Sequence, residues 1–431
     1  MVGIRQYNMR LAVFTDVLLD VPGGIPSSIM AQKRSLEELG HEVVVFAPGF
    51  AASLKNMPAK ERKNIITVPT HHIFRPNGAP LSKRPGKVER FVLSKFPEFD
   101  FDIVHVHYEA SCSIAGMKLA RRFNKPLVQT MHGREDMAVQ INVPKGLKTF
   151  VATVLCFLHS RYIPHFKQAT ADASLAPTLA RRKMWNIMVN HANYADKVIT
   201  PSEHFKTKIV EMGVEKPVFV VSNGVDDDMV AELDARVKRM DGSLIRKVEE
   251  GDRLRIFWNS RLSREKRIMP FMEALSLMRE PFCCTFVGDG NGLKSARCFA
   301  EKHNLMNGKN QQVVFCGRVP HEEVLDKMIK QHLSVTVSYG FDTQGLTLLE
   351  AEATGLPVFF CDPDMKENVP KGGFVMADGC SPAQMAHALD TIARNPKEIE
   401  KMSEVMLSHR KDVLQSTQIK KLLDVYKIAT S

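Results

Sequence analysis

Short apolar runs of buried-strand length alternate with helix-length amphipathic segments along nearly the whole chain, and this rhythm limits the fold most. Strand-like runs fall at Arg10–Phe14, Glu42–Phe46, Ile103–His107, Pro126–Met131, Lys197–Thr200 and Val218–Val221. Helical patterns lie between them, as at Ile25–Leu39, Ser111–Arg122 and Glu203–Met212. A charge-dense stretch from Asn223 to Asp252 breaks the rhythm. Alternation then resumes with Leu254–Trp258, Cys283–Val287, Val313–Cys316, Leu333–Thr336 and Val358–Cys361. Helical patterns at Pro382–Ala393, Pro396–Ser408 and Leu414–Ala429 end the chain. A parallel strand covered by helices on both faces reads as a continuous apolar run, which is the pattern seen here. The order predicts an α/β chain with two doubly wound parallel sheets and ligands outside the strand carboxyl ends, in the gap between the halves. The expected division is a first domain over residues 1–225, a linker over 226–250 and a second domain over 251–411. The last helix, about 412–431, is expected to return to the first domain.

At 431 residues the chain has room for two or three full cores. No apolar run is long enough to span a bilayer, and the N-terminus lacks a signal-peptide layout. The eight cysteines form no CxxC pair and several lie in strand-like runs. They read as buried, reduced thiols of a cytoplasmic protein, with neither a disulfide framework nor a zinc site. The net charge of +11 is uneven: residues 1–225 hold 30 basic and 18 acidic side chains, so the whole excess lies in the first half. That asymmetry points to an anionic partner, a lipid surface or a polyanion; the alternative is a solvated basic face.

The richest segment runs from Ser338 to Val358, SYGFDTQGLTLLEAEATGLPV. Asp342 would precede a helix and Glu350 would sit inside it, with Leu346, Leu349 and Ala353 turned to a core. Backbone N–H groups near Gly345 would face a phosphate, and the carboxylates would accept hydrogen bonds from sugar hydroxyls. The bland reading is a buried helix that carries acids. In the first half, strand one leads through Thr15 and Asp16 to Gly23-Gly24 at a helix start, suited to close approach of an anion. In the second half, Leu254–Trp258 leads to a cluster in which Arg261 and Lys266 could neutralise a diphosphate leaving group. Gly288-Asp289-Gly290-Asn291-Gly292 resembles a dinucleotide fingerprint, but its third glycine spacing fails and it sits in mid-domain, so no NAD chemistry is expected. Asp226-Asp227-Asp228 and Asp362-Pro363-Asp364 read as turns, and no metal is assigned.

Taken in order, Gly23-Gly24, His105-Val106-His107, Thr130-Met131-His132, Ala195-Asp196, Thr200-Pro201-Ser202, Ser222-Asn223-Gly224-Val225, Arg261 through Lys266, Gly288-Asp289-Gly290 and the Ser338–Val358 segment cover nearly the full length. Together they resemble the retaining glycosyltransferases of family 4, with the GT-B fold of two Rossmann-like domains facing a central cleft. Thr343-Gln344-Gly345-Leu346-Thr347 before Glu350, and His132 with Glu135-Asp136, are most similar to the bacterial diacylglycerol α-glucosyltransferases. The resemblance implies Gly23, Gly24, Gly288, Thr343, Gln344, Gly345, Leu346 and Glu350 on a nucleotide-sugar donor, with Arg318 and Val319 bordering the base. It implies His132, Arg261, Lys266 and Asp342 at the reaction centre, and His107, Glu135 and Asp136 on the acceptor side. The implied donor is UDP-glucose or a similar sugar nucleotide, and no cofactor is implied. Asp342 departs from the family's usual Glu by one methylene, which bears on the donor sugar.

Two segments suggest the acceptor. Lys83, Arg84, Lys87, Arg90 and Lys95 share a helix-like stretch, and the apolar run Phe150–Leu158 is flanked by Lys145, Lys148, Arg161 and Lys167. Such a run can lie in a membrane interface, or it can be an interior helix of the first domain. The first reading predicts a lipid acceptor, an anionic membrane surface and a peripheral enzyme at the inner face of the cell membrane. No basic module interleaved with aromatics suggests nucleic acid. The alternatives are a family 4 transferase with another acceptor (phosphatidylinositol or a glycan), a GT-B nucleotide-sugar epimerase, and a lipid-surface protein with a degenerate donor site.

Overall fold

The computed structural model describes residues 8–21, 23–49, 54, 57–71, 80–170, 174–239, 242–249 and 251–431. Pro22 of the glycine-rich turn and residues 240–241 and 250 of the expected linker lie outside them. Two compact units result, one of residues 1–223 with 418–431, the other of residues 224–417.

The first unit carries a seven-stranded sheet: β1 (Arg10–Phe14), β2 (Glu42–Ala47), β3 (Ile65–Thr67), β4 (Ile103–Val106), β5 (Leu127–Thr130), β6 (Lys197–Thr200) and β7 (Val218–Val220). Their order is β3-β2-β1-β4-β5-β6-β7, and every neighbouring pair is parallel. The second unit has β8 (Leu254–Asn259), β9 (Phe282–Val287), β10 (Gln311–Gly317), β11 (Leu333–Thr336), β12 (Val358–Phe360) and β13 (Phe374–Met376), in the order β10-β9-β8-β11-β12-β13, again all parallel. In each sheet the order reverses beside the first strand, between β1 and β4 and between β8 and β11. Loops at the carboxyl ends there diverge to opposite faces and leave a crevice for a ligand.

Burial explains why the runs were legible. Strand side chains alternate between two packed faces: Ala12, Phe14, Val104 and Val106 enter one core, while Leu11, Val13 and Ile103 enter the other with Leu422 and Tyr426 of the C-terminal helix. In the second unit Trp258 and Phe286 pack with Phe271, and Phe257 with Phe360 lies in the opposite core. Two edge strands, β3 and β13, were not anticipated. Each has three residues, all of them half-buried. The expected linker also contains a helix, Asp227–Arg239, whose Val230, Leu233 and Val237 are buried in the second unit's cores. Spacing of three and four puts those residues on one face, and the surrounding charges masked the stripe. Among the cysteines, Cys112, Cys156, Cys284 and Cys361 are buried as expected, but Cys298 is exposed.

Candidate functional site

In the second unit the loop after β8 is the organising element. Lys266 Nζ lies 2.7 and 2.9 Å from the two carboxylate oxygens of Asp342, which follows β11. Ser338 Oγ also donates to Asp342. Burial would raise the Asp342 carboxyl. The Lys266 ammonium, the hydrogen bonds from Lys266 and Ser338, and the Arg261 charge outweigh it and hold the group below its ordinary value. Asn259, the last residue of β8, donates its side-chain amide to Glu350 at 3.2 Å. Arg261 is the open member: its side chain is 70% exposed, with one contact of 3.2 Å to Glu265. A planar guanidinium so placed can grip a phosphate with two parallel donors.

The helix Leu346–Ala353 starts at Gly345, which has no side chain to cap it, so its first N–H groups carry the positive helix end. Thr343 is buried and Gln344 half-buried just ahead of it. Gly340 turns the preceding chain at φ +63°, and its N–H donates to Asp362 at 2.6 Å. Asp362 also accepts from Asp364 N, and Asp226 from Asp228 N, so both acidic runs make the local turns expected of them.

Gly288 has a packing role of its own. Any Cβ there would lie 2.2 Å from the carbonyl oxygen of Ser260, and Gly290 would meet that of Leu262 at 2.5 Å. Hydrogen bonds from Leu262 N to Asp289 O and from Gly292 N to Leu262 O lock the two loops together. The glycine-rich run therefore seats the Arg261 loop. Gly317 accepts from Gly288 N at 2.8 Å, which sets Arg318, exposed, and Val319, half-buried, at the end of β10.

The first unit gathers a different set. His107 Nδ1 and His132 Nε2, at the ends of β4 and β5, are 2.8 Å apart. Burial lowers His132 to about 4 and, with the charges of His105 and His132, lowers His107 well below its usual value. Both are neutral at neutral pH, and one donates to the other. His105 lies behind them, its ring 3.9 Å from that of His107 and its nitrogens 2.7 Å from Tyr426 Oη and Thr130 Oγ1. Tyr108 Oη donates to Glu135 at 3.0 Å, and Gln129 Nε2 donates to Glu109 at 3.2 Å. Burial first, then the Glu135 and Asp16 charges, push Glu109 well up; burial also raises Glu135. Asp16 accepts from the Cys112 and Ser113 N–H groups at 2.7 and 3.0 Å, closing the start of helix Ser111–Arg122.

Asp136 differs from its neighbour. It is fully buried, with Arg134 at 2.8 and 3.0 Å and Arg181 at 2.8 Å on its carboxylate. Such an ion pair fixes a loop, and breaking one side would strand a buried charge. Gly23 is extended at φ 173° and exposed, and Gly24 begins helix Gly24–Glu38. The structure thus joins Lys266 to Asp342 in the second unit and His107 to His132 in the first. Glu109, Tyr108, Asn259 and Ser338 were not singled out from sequence, though each follows or ends a strand already recognised. Tyr426 had no local signal, because its partner His105 is 321 residues away.

Residues 22–229 match the model of glycosyltransferase family 4, and residues 243–406 match that of the glycosyl transferases group 1. The chain belongs to glycosyltransferase family 4. It is a nucleotide-sugar-dependent transferase of the retaining hexosyltransferase class with a GT-B fold. It is similar to an alpha-monoglucosyldiacylglycerol synthase of Streptococcus pneumoniae, 25% identical over 81% of this chain and 70% of that one. It is also similar to a phosphatidyl-myo-inositol mannosyltransferase of Mycolicibacterium smegmatis, 28% identical over 32% of this chain and 34% of that one. Among solved structures, Anabaena HepE in complex with UDP superposes with a TM-score of 0.67 at 15% identity, covering 97% of this chain and 99% of that chain.

Proposed function

We propose that this family 4 enzyme moves glucose from UDP-glucose to a membrane lipid acceptor such as diacylglycerol, with retention, while bound peripherally to an anionic membrane surface at its cytoplasmic face. The observation that carries the donor half is the Lys266–Asp342 pair beside the open Arg261 fork and the Gly345 helix start. Arg261 and the Gly345 helix start add positive potential beside the neutralised Lys266–Asp342 pair, where a diphosphate gains charge as it leaves. Glu350, steadied by Asn259, accepts from the ribose hydroxyls. Asp342, already ionised by Lys266, is placed to accept from a sugar hydroxyl. Thr343, Gln344 and Leu346 border sugar and phosphates, Gly288 seats the Arg261 loop, and Arg318 with Val319 borders the base. Gly23 and Gly24, at the start of a first-unit helix, offer backbone N–H groups suited to an anion.

On the acceptor side, neutral His132, oriented by His107, hydrogen-bonds the transferred sugar, and Glu135, steadied by Tyr108, binds the acceptor. Asp136 holds that loop in place. The bond from the anomeric carbon to the diphosphate oxygen breaks, and a bond to the acceptor oxygen forms on the same face. The acceptor proton passes to the departing phosphate oxygen, so the products are UDP and the glycolipid. The lipid acceptor rests on the similarity to diacylglycerol glucosyltransferases and on the basic first half. Among the described residues no helix is long and apolar enough to cross a membrane. Incubation with UDP-glucose, UDP-galactose or GDP-mannose, without lipid and with vesicles carrying either diacylglycerol or phosphatidylinositol, tests the reading. UDP release from UDP-glucose only with lipid supports it. Transfer from GDP-mannose to phosphatidylinositol, the alternative raised by the mannosyltransferase similarity, contradicts it.

A further inference from the structure

Helix Lys148–Ser160 leaves an apolar face without cover. Phe150, Val154, Phe157 and Leu158 repeat at three- and four-residue spacing, so they lie on one side, and Leu147 just before the helix continues the stripe. Phe150 is 68% and Phe157 60% exposed, and the other three are also exposed. The opposite side is packed: Ala152 and Cys156 are buried with Ala180, Met184 and Ile187 of helix Leu179–Tyr194. His159 Nδ1 meets His191 Nε2 at 2.8 Å and ties down the last turn. The sequence left open whether this helix was interior or interfacial, and the exposed stripe rules out a helix buried on all sides of the unit.

Charge identifies the occupant. From residue 137 to 170 the chain has no Asp or Glu, while Lys145, Lys148, Arg161 and Lys167 bracket the stripe. Lys145, Arg161 and Lys167 are exposed, and the Arg161 guanidinium lies 5.8 Å from the centre of the Phe157 ring. A second copy of this chain, pairing face to face about a two-fold axis, would set these cations against their own equivalents. An anionic lipid surface meets both demands, taking the apolar side chains at the acyl boundary and the cations at the headgroups.

We infer that helix Lys148–Ser160 is the element that enters the lipid, inserting Phe150, Val154, Phe157 and Leu158 while Lys145, Arg161 and Lys167 contact anionic headgroups. This rests on the proposed lipid acceptor and adds how the enzyme meets it. The helix follows Glu135–Asn142 after a five-residue connection, and that shorter helix starts at acceptor-side Glu135. Both belong to the excursion between β5 and β6, whose base carries His132. Docking at the outer helix therefore holds the loop that binds the acceptor close to the bilayer from which a diacylglycerol must emerge.

A Phe157→Trp variant tests insertion directly, because Trp185 and Trp258 are both fully buried and give a protected background. With vesicles of phosphatidylglycerol and phosphatidylcholine carrying brominated acyl chains, the variant's fluorescence is quenched and the wild type's is not. In sedimentation, Phe150→Ser/Phe157→Ser loses about tenfold in vesicle partitioning for each ring removed. The same double variant keeps its transfer rate to a short-chain, water-soluble diacylglycerol. If wild type binds vesicles, yet Phe157→Trp is unquenched and the double variant binds normally, another surface docks and the inference fails while the lipid-acceptor reading stands. If the double substitution instead turns a dimer into a monomer in solution, a second copy covers this face and the inference also fails. Absence of transfer to any lipid, long or short, overturns the proposed function itself.

Discussion

The two sheets share a topology, yet the crevices beside β1 and β8 settle burial and charge in opposite ways. Beside β8 and β11 a buried carboxylate keeps its charge: Lys266, Ser338 and Arg261 outweigh the desolvation of Asp342. Beside β1, β4 and β5 burial wins, so Glu109 and Glu135 are pushed up and His107 and His132 are pushed down. The chemistry each side is proposed to handle explains the contrast. A diphosphate leaving group needs fixed positive charge, whereas an acceptor hydroxyl and a sugar ring are neutral partners best met by neutral donors and acceptors. One scaffold thus presents an ionic crevice and a nearly neutral one.

The contrast breaks most visibly at Lys266. Lys266→Ala should lower kcat/KM by about 10³, because it removes leaving-group charge and strands Asp342 in a buried site. Steady-state rates with UDP-glucose measure this, and a loss under tenfold would mean the pair is structural only. Next, isosteric amides at the two kinds of carboxylate should differ. Asp342→Asn should cost about 10² in kcat/KM, since it neutralises a group held ionised. Glu109→Gln should stay within about threefold, since burial and its neighbours already favour the neutral acid. Equal losses at both positions would erase the distinction.

Stability against pH sharpens it further. His105 and His132 are lowered to about 3 and about 4, chiefly by burial, and His159 to about 4. Below pH 6.5 the unfolded chain takes up protons that the folded chain refuses, so stability falls as pH drops from 6.5 towards 4. Calorimetric scans should show the melting temperature declining through that window. The smallest effect is expected at Glu352, which burial and the Asp412 charge raise to about 8. Between pH 4.5 and 8 unfolding lets this group ionise, which costs native stability. Glu352→Gln should therefore raise stability at pH 7.5 and give no gain at pH 4, read from paired denaturation curves.

The sequence made the sheet cores readable because parallel strands covered on both faces are mostly apolar words, such as Glu42–Phe46 and Cys283–Val287. It missed the half-buried edge strands Ile65–Thr67 and Phe374–Met376, and it failed where charge concealed a narrow stripe, as at Asp227–Arg239. Arg261, Lys266, Asp342 and Glu350 were legible because they sit in ordered motifs, and the structure brings Lys266 and Asp342 into contact. The wiring around His105 and Glu109 was not. Glu109 acquires its character from Glu135, Asp16 and Gln129, and His105 from Tyr426, none of them its sequence neighbours. Likewise, which face of Phe150–Leu158 is covered depends on Ala180, Met184 and Ile187, which a linear reading cannot place.

The proposed reaction is transfer of glucose from UDP-glucose to a lipid hydroxyl with retention. The most direct test is proton NMR of the lipid product formed from UDP-glucose and diacylglycerol vesicles. A monoglucosyl lipid is expected whose anomeric proton has the small coupling of an α-linkage, with UDP released in equal amount and only when lipid is present. A β-linked product, or UDP released at the same rate without any glycolipid, would contradict it.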